Sequence, residues 1–133
     1  MATQRVNTET AEWLPGSPIY GPVPACNGEE VIQLKILSDR RAEGGGSAYL
    51  ARFSPPPGKA IKIVAAARSD EHVFGLTGGR GTKSGGRLRA AGNYTLNPTG
   101  QPHSAFISVE TVSLVVYTGE PDEIKSIEVV DIP

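Results

Sequence analysis

From Glu30 onward, apolar and polar residues alternate along the chain. Ile32, Leu34 and Ile36 fall on one face of an extended segment, with Gln33 and Lys35 on the other. A period of two is that of a strand with one face against a core. The same reading predicts strands over Ala48 to Phe53 and over Lys59 to Ala67, where Ile61, Ile63, Ala65 and Ala67 share a face. Further strands are predicted over Glu71 to Thr77, Arg87 to Ala90, Tyr94 to Asn97, His103 to Val109, Val112 to Tyr117 and Ile124 to Ile132. Turns separate them: the polar stretch from Ser38 to Gly46, Pro55-Pro56-Pro57-Gly58, Arg68-Ser69-Asp70, and Gly78-Gly79-Arg80-Gly81. Gly and Pro punctuate strands in this way because they supply the backbone angles that tight turns need. No segment keeps a helical period, so an all-β sandwich or barrel is expected. Residues 1–27 carry no such alternation, and Pro15, Pro18, Pro22 and Pro24 preclude a long helix there. This N-terminal segment is expected to pack on the barrel of residues 28–133, or on a second subunit, through Trp13, Ile19 and Tyr20.

Length and composition narrow the classes. A chain of 133 residues fits one domain with a real core. Sixteen Gly and eleven Pro exceed average usage and agree with many short strands and turns. The formal net charge of −1, without a run of one sign, argues against nucleic acid as a partner. No apolar stretch reaches the roughly 18 residues of a membrane span, and Met1 to Asn7 lacks the apolar centre of a signal peptide. The lone Cys26 rules out an intrachain disulfide and is read as structural, so a reducing cytoplasm is the expected compartment.

The candidate chemistry lies around the two histidines. Gly92, Pro98, Gly100 and His103 stand at fixed offsets: Gly, five residues, Pro, one residue, Gly, two residues, His. This spacing resembles the second motif of the cupin family, in which Asn follows three residues later; Ile107 stands there instead. The family's first motif runs Gly, five residues, His, one residue, His, three or four residues, Glu, six residues, Gly. Glu71 and Gly78 match its end. With the shorter gap the two His positions fall on Ala65 and Ala67, in the alternation phase of Glu71, and Gly58 is one residue out of register. With the longer gap Gly58 matches and the positions fall on Val64 and Ala66. No histidine is present in either register.

The resemblance covers roughly Ser47 to Thr118 and implies a double-stranded β-helix, the cupin jelly-roll barrel, with its ligand site inside. It implies a pocket lined by Ala65, Ala67, Glu71, Val73, His103, Ala105 and Ile107. Of the family's metal ligands only Glu71 and His103 remain, and two protein ligands hold a divalent ion weakly. The expected cofactor is therefore none, or a weakly bound divalent metal, with the alanines widening the cavity. The leading reading is a small-molecule-binding protein with a degenerate metal site, meeting a small polar or carbonyl-bearing ligand through Glu71 and His103. The alternative is an isomerase, lyase or dioxygenase in which these two residues act as catalytic acid and base or as metal ligands. A module without turnover stays open, since fold alone does not settle function.

His72 alternates away from Glu71 and joins Phe74 and Leu76 on an outer, largely apolar strand face. Such faces are usually covered. A homodimer through this face or the N-terminal segment is expected. Arg80, Lys83, Arg87 and Arg89 form a basic turn, read as a solvated hairpin rather than an anion site.

Overall fold

The computed structural model describes residues 2–81 and 87–132. Thirteen strands follow one another among the described residues. They are β1 (Leu14–Pro15), β2 (Ala25–Cys26), β3 (Glu29–Glu30), β4 (Ile32–Asp39), β5 (Ser47–Phe53), β6 (Lys59–Ala66), β7 (Glu71–Thr77), β8 (Gly79–Gly81), β9 (Arg87–Ala90), β10 (Tyr94–Asn97), β11 (Pro102–Ile107), β12 (Thr111–Tyr117) and β13 (Glu123–Asp131). One short helix, α1 (Ser17–Tyr20), precedes β2.

All pairings are antiparallel. One large sheet has the order β1-β4-β5-β12-β7-β10 and the second β13-β6-β11-β8-β9, while β2 and β3 form a two-stranded sheet of their own. The inner faces of the two large sheets meet in one core. Leu34, Tyr49, Ala51, Phe53, Val73, Val115 and Tyr117 of the first sheet pack with Ile61 and Ile107 of the second. Leu34, Ile61 and Ile107 are 1% exposed or less, each worth about 1.5–3 kcal/mol of transfer free energy. The alternation is regular in β5 and β12: Ser47, Tyr49, Ala51 and Phe53, and Thr111, Ser113, Val115 and Tyr117, are buried, while the residues between them are partly exposed. The all-β jelly-roll expected from the sequence is the observed architecture.

Four local expectations change. Ile36 shares its strand face with Ile32 and Leu34 but is 41% exposed; the register shifts between Ile36 and Ser38, where β4 leaves the core. Val109 lies beyond the end of β11 and is exposed. Gly79–Gly81 is not a turn but a short strand paired with β9. The N-terminal segment is more regular than expected. Asn27 and Gly28 both take positive φ, 52° and 83°, the pair of angles a type I′ turn requires, and they join β2 to β3.

The N-terminal segment packs on the chain's own body. The Lys35 ammonium and the Arg52 guanidinium lie over the Trp13 ring, 4.8 and 4.4 Å from its centroid. Ile19 and Tyr20 pack against the core. The side chains of the basic turn expected at Arg80, Lys83, Arg87 and Arg89 lie outside the described residues. Among the described residues no helix is long and apolar enough to cross a membrane.

Candidate functional site

Glu71 opens β7 with its side chain inward. Its direct cross-strand neighbours are Asn97 on β10 and Tyr117 on β12, so all three side chains emerge on the same face. Asn97 Nδ2 donates to Glu71 Oε1 at 2.7 Å, and the Tyr117 hydroxyl donates to Oε2 at 3.0 Å. Tyr117 has one proton to give, and it goes to Glu71. The Tyr20 hydroxyl, 3.0 Å from that of Tyr117, therefore serves as its donor.

His103 reaches the same point from the opposite sheet. Its Nε2 lies 2.8 Å from Asp122 Oδ2 and 3.7 Å from Glu71 Oε1. Asp122 sits in the loop before β13 and is 6% exposed. The three ligand-type atoms of Glu71, His103 and Asp122 all lie within 4.8 Å of one another.

Three turns bring these groups together, tied through Ser69 and Asp70. Asp70 Oδ1 accepts from the Thr99 backbone N–H and hydroxyl, both at 2.9 Å, which docks the Pro98–Gln101 turn leading to His103. Gly100 there holds φ 86°, a conformation that favours glycine, and its N–H bonds the Ala67 carbonyl at 2.7 Å. Ser69 Oγ donates to the Glu120 carbonyl at 2.8 Å, and the Thr118 N–H donates to the Asp70 carbonyl at 3.0 Å. These bonds fix the loop that carries Asp122.

Burial raises the Glu71 carboxyl above its ordinary pKa, and the charge of Asp122 adds to the shift. The Asn97 hydrogen bond, His103 and the Tyr117 hydrogen bond oppose it. Burial also pushes the Tyr20 and Tyr117 phenols up, so both remain protonated hydroxyls at neutral pH. The cluster borders a small cavity of about 40 Å³ whose remaining wall is apolar: Ile32, Phe53, Ile63, Ala105, Ile124 and Ile127.

A divalent metal fits this donor set. One imidazole and two carboxylates suit ions such as manganese, iron or zinc. Among the described residues Asp122 Oδ1 is buried without a hydrogen-bond partner, the condition of a group that lacks a cation. The sequence offers two ligand-type residues, Glu71 and His103; Asp122 places a third ligand-type atom beside them.

Of the residues expected to line the pocket, Glu71, His103 and Ala105 do so. Ala65, Ala67, Val73 and Ile107 are buried at 4% exposure or less but are not part of the lining. The alanines do not widen the cavity. Ala65 is flanked across the sheet by His103 and Ile124, whose larger side chains border the cavity in its place. Sequence reasoning missed Asp122, Asn97, Tyr117 and Tyr20. Asn97 and Tyr117 are recoverable once strand pairing is known, because both stand opposite Glu71. Asp122 and Tyr20 lie in segments without alternation and leave no such signal.

No family model and no curated protein matches the chain. Solved structures do. A protein of unknown function with a cupin-like fold from Ralstonia eutropha aligns with a TM-score of 0.66 and 18% identity, over 93% of this chain and 77% of its own. KdgF from Halomonas sp. aligns with a TM-score of 0.60 and 15% identity, over 90% of this chain and 96% of its own. The polyketide cyclase RemF from Streptomyces resistomycificus aligns with a TM-score of 0.59 and 18% identity, over 99% and 87%. These likenesses show the fold.

Proposed function

We propose that this chain, whose fold is that of the cupins, binds a small hydroxyl- or carbonyl-bearing molecule through Glu71, His103 and Asp122. One observation carries the reading: a carboxyl, an imidazole and a second carboxylate converge within 4.8 Å beside an otherwise apolar cavity. Buried ionisable groups are costly unless a partner compensates them, and a group of this kind in a cavity is the usual mark of a ligand site. The Glu71 carboxyl, raised by burial, is the first polar group that a ligand oxygen would meet. His103, whose Nε2 lies 2.8 Å from Asp122 Oδ2, is the second polar group beside the ligand. Fold neighbours that include a polyketide cyclase are compatible with turnover, in which the same pair moves a proton beside a carbonyl.

Hydroxyacetone is a suitable probe. Its titration into nitrogen-15-labelled protein should shift the amides of Glu71, His103 and Asp122 saturably, and His103→Ala should remove those shifts. Equal shifts in the variant would refute the assignment. In deuterium oxide, loss of the probe's C–H signals that depends on His103 would identify an enzyme; retention of the signals with binding intact would identify a binding module.

A second reading rests on Asp122 Oδ1, which is buried without a hydrogen-bond partner among the described residues. Glu71, His103 and Asp122 would hold a divalent ion, which would act as a Lewis acid toward a ligand oxygen. Calorimetric titration with Mn²⁺ should then give one site per chain, weakened at least tenfold by Asp122→Asn. Equal affinity in both proteins would remove this reading.

A further inference from the structure

The cavity is small for a ligand site. Its volume of about 40 Å³ holds roughly three waters at about 10–15 Å³ each, whereas drug-sized ligands occupy pockets of about 300–1,000 Å³. The wall that limits it comes partly from outside the barrel. Ile32, Phe53, Glu71, Tyr117 and Asp122 are its buried side. Tyr20 is among the partly exposed residues of its lining, with Ile63, His103, Ala105, Ile124 and Ile127.

Tyr20 is held there by a closely bound segment. Leu14 and Pro15 pair with Leu34 and Gln33 as a sheet edge, and the Gly16 N–H bonds the Ile32 carbonyl at 2.9 Å. A Cβ at Gly16 would approach that carbonyl oxygen to 2.8 Å, so the backbone sits as close as glycine permits. Glu30 then grips the start of α1 with both oxygens. Oε1 accepts from the Ser17 N–H at 2.8 Å and Oε2 from the Ser17 hydroxyl at 2.7 Å. One turn later Tyr20 reaches the cavity, and its hydroxyl is fixed on Tyr117 at 3.0 Å. The hydroxyl is held on Tyr117 and the turn that carries the residue is held by Glu30, so moving the ring aside breaks the bond to Tyr117.

We propose that Tyr20 is the specificity-determining residue of this site: clamped by Glu30, it restricts the ligand to molecules of about two or three carbons and excludes ring-sized ones. The inference rests on the reading of this cavity as a ligand site. The chemistry of the wall fixes the class further. Apolar residues surround the ligand body and one polar cluster meets its hydroxyl or carbonyl, so phosphorylated and polyhydroxylated compounds are excluded along with aromatic ones.

The test compares phenol with hydroxyacetone by amide chemical-shift titration. The wild-type chain should bind hydroxyacetone and show no saturable phenol shifts. Tyr20→Ala should take phenol, with at least a tenfold gain. Tyr20→Phe, which keeps the ring, should still reject it. Wild-type protein that binds phenol as well as Tyr20→Ala would overturn the inference, as would folded Tyr20→Ala that rejects phenol. If Tyr20→Ala does not fold, Glu30→Ala loosens the clamp without altering a lining residue and should admit phenol weakly; rejection there overturns the inference too. The double variant Tyr20→Ala/His103→Ala separates the two readings. Phenol retained in it supports the wall and refutes the His103 anchor, and phenol lost in it supports both.

Discussion

At the scale of residues, the balance at Glu71 decides how the site behaves. Two neutral donors and an imidazole favour its ionised form, yet burial and the Asp122 charge outweigh them. A carboxyl raised in the folded state is a stability term with a definite sign. Below the ordinary value of 4.5, folded and unfolded chains both hold the proton and nothing is lost. As pH rises, the unfolded chain ionises first and folding is penalised until the folded carboxyl ionises as well. Glu71→Gln removes that term and keeps an oxygen for Tyr117. In chelator, the two proteins should melt together near pH 4, and the variant should gain in Tm over the wild type as pH rises. Thermal melts from pH 4 to 8 check this; a gap that closes with rising pH would contradict the assigned direction. His103 and Glu71 were legible in the sequence because their spacing resembles the cupin motifs, and alternation sets Glu71, the first residue of β7, and His103, the second of β11, on inward faces. Their partners were not. Asn97 and Tyr117 depend on register between distant strands, and Asp122 on a loop whose course is set by hydrogen bonds to Ser69 and Asp70 rather than by any local pattern.

At the scale of elements, the site is assembled by turns more than by strands. Regular strands bring Glu71 and His103 to the inner faces of two sheets, but the third group arrives only because the Thr118–Asp122 loop is tied to the Ser69–Asp70 corner. Ser69→Ala removes the bond to the Glu120 carbonyl and should cost about 0.5–1.5 kcal/mol, read by urea denaturation. Hydrogen exchange should quicken at residues 118–123 while the amides of β5 stay protected. Uniform quickening across the chain would mean that the corner supports the whole fold rather than this loop. The same contrast explains what alternation predicts well. β5 and β12 lie between neighbours on both sides and follow their pattern residue by residue. β4 departs from it where its register shifts, and the hairpin at Asn27-Gly28 is set by turn chemistry in a segment too short for a period.

At the scale of the whole molecule, one apolar face stands exposed among the described residues. Phe74 and Leu76 on β7 and Tyr94 and Leu96 on β10 are each 41–50% exposed. They lie on neighbouring strands, with the His72 and Phe74 rings packed on Tyr94. β10 ends the strand order of its sheet, and edge strands are usually protected from indiscriminate pairing. Trp13 and Tyr20, the other candidates for a subunit contact, are engaged within the chain itself. We propose that a second copy covers the β7–β10 face, because a two-fold axis beside β10 would set the same apolar patch against itself and close the assembly. Light scattering at tens of micromolar should give about twice the 14.0 kDa chain mass. Phe74→Glu combined with Leu96→Glu should give the monomer with its β-sheet circular dichroism unchanged, since neither side chain contributes to the buried core. A wild-type chain that stays monomeric at that concentration would leave the patch without its partner. A dimer that survives the double substitution would place the contact on another surface.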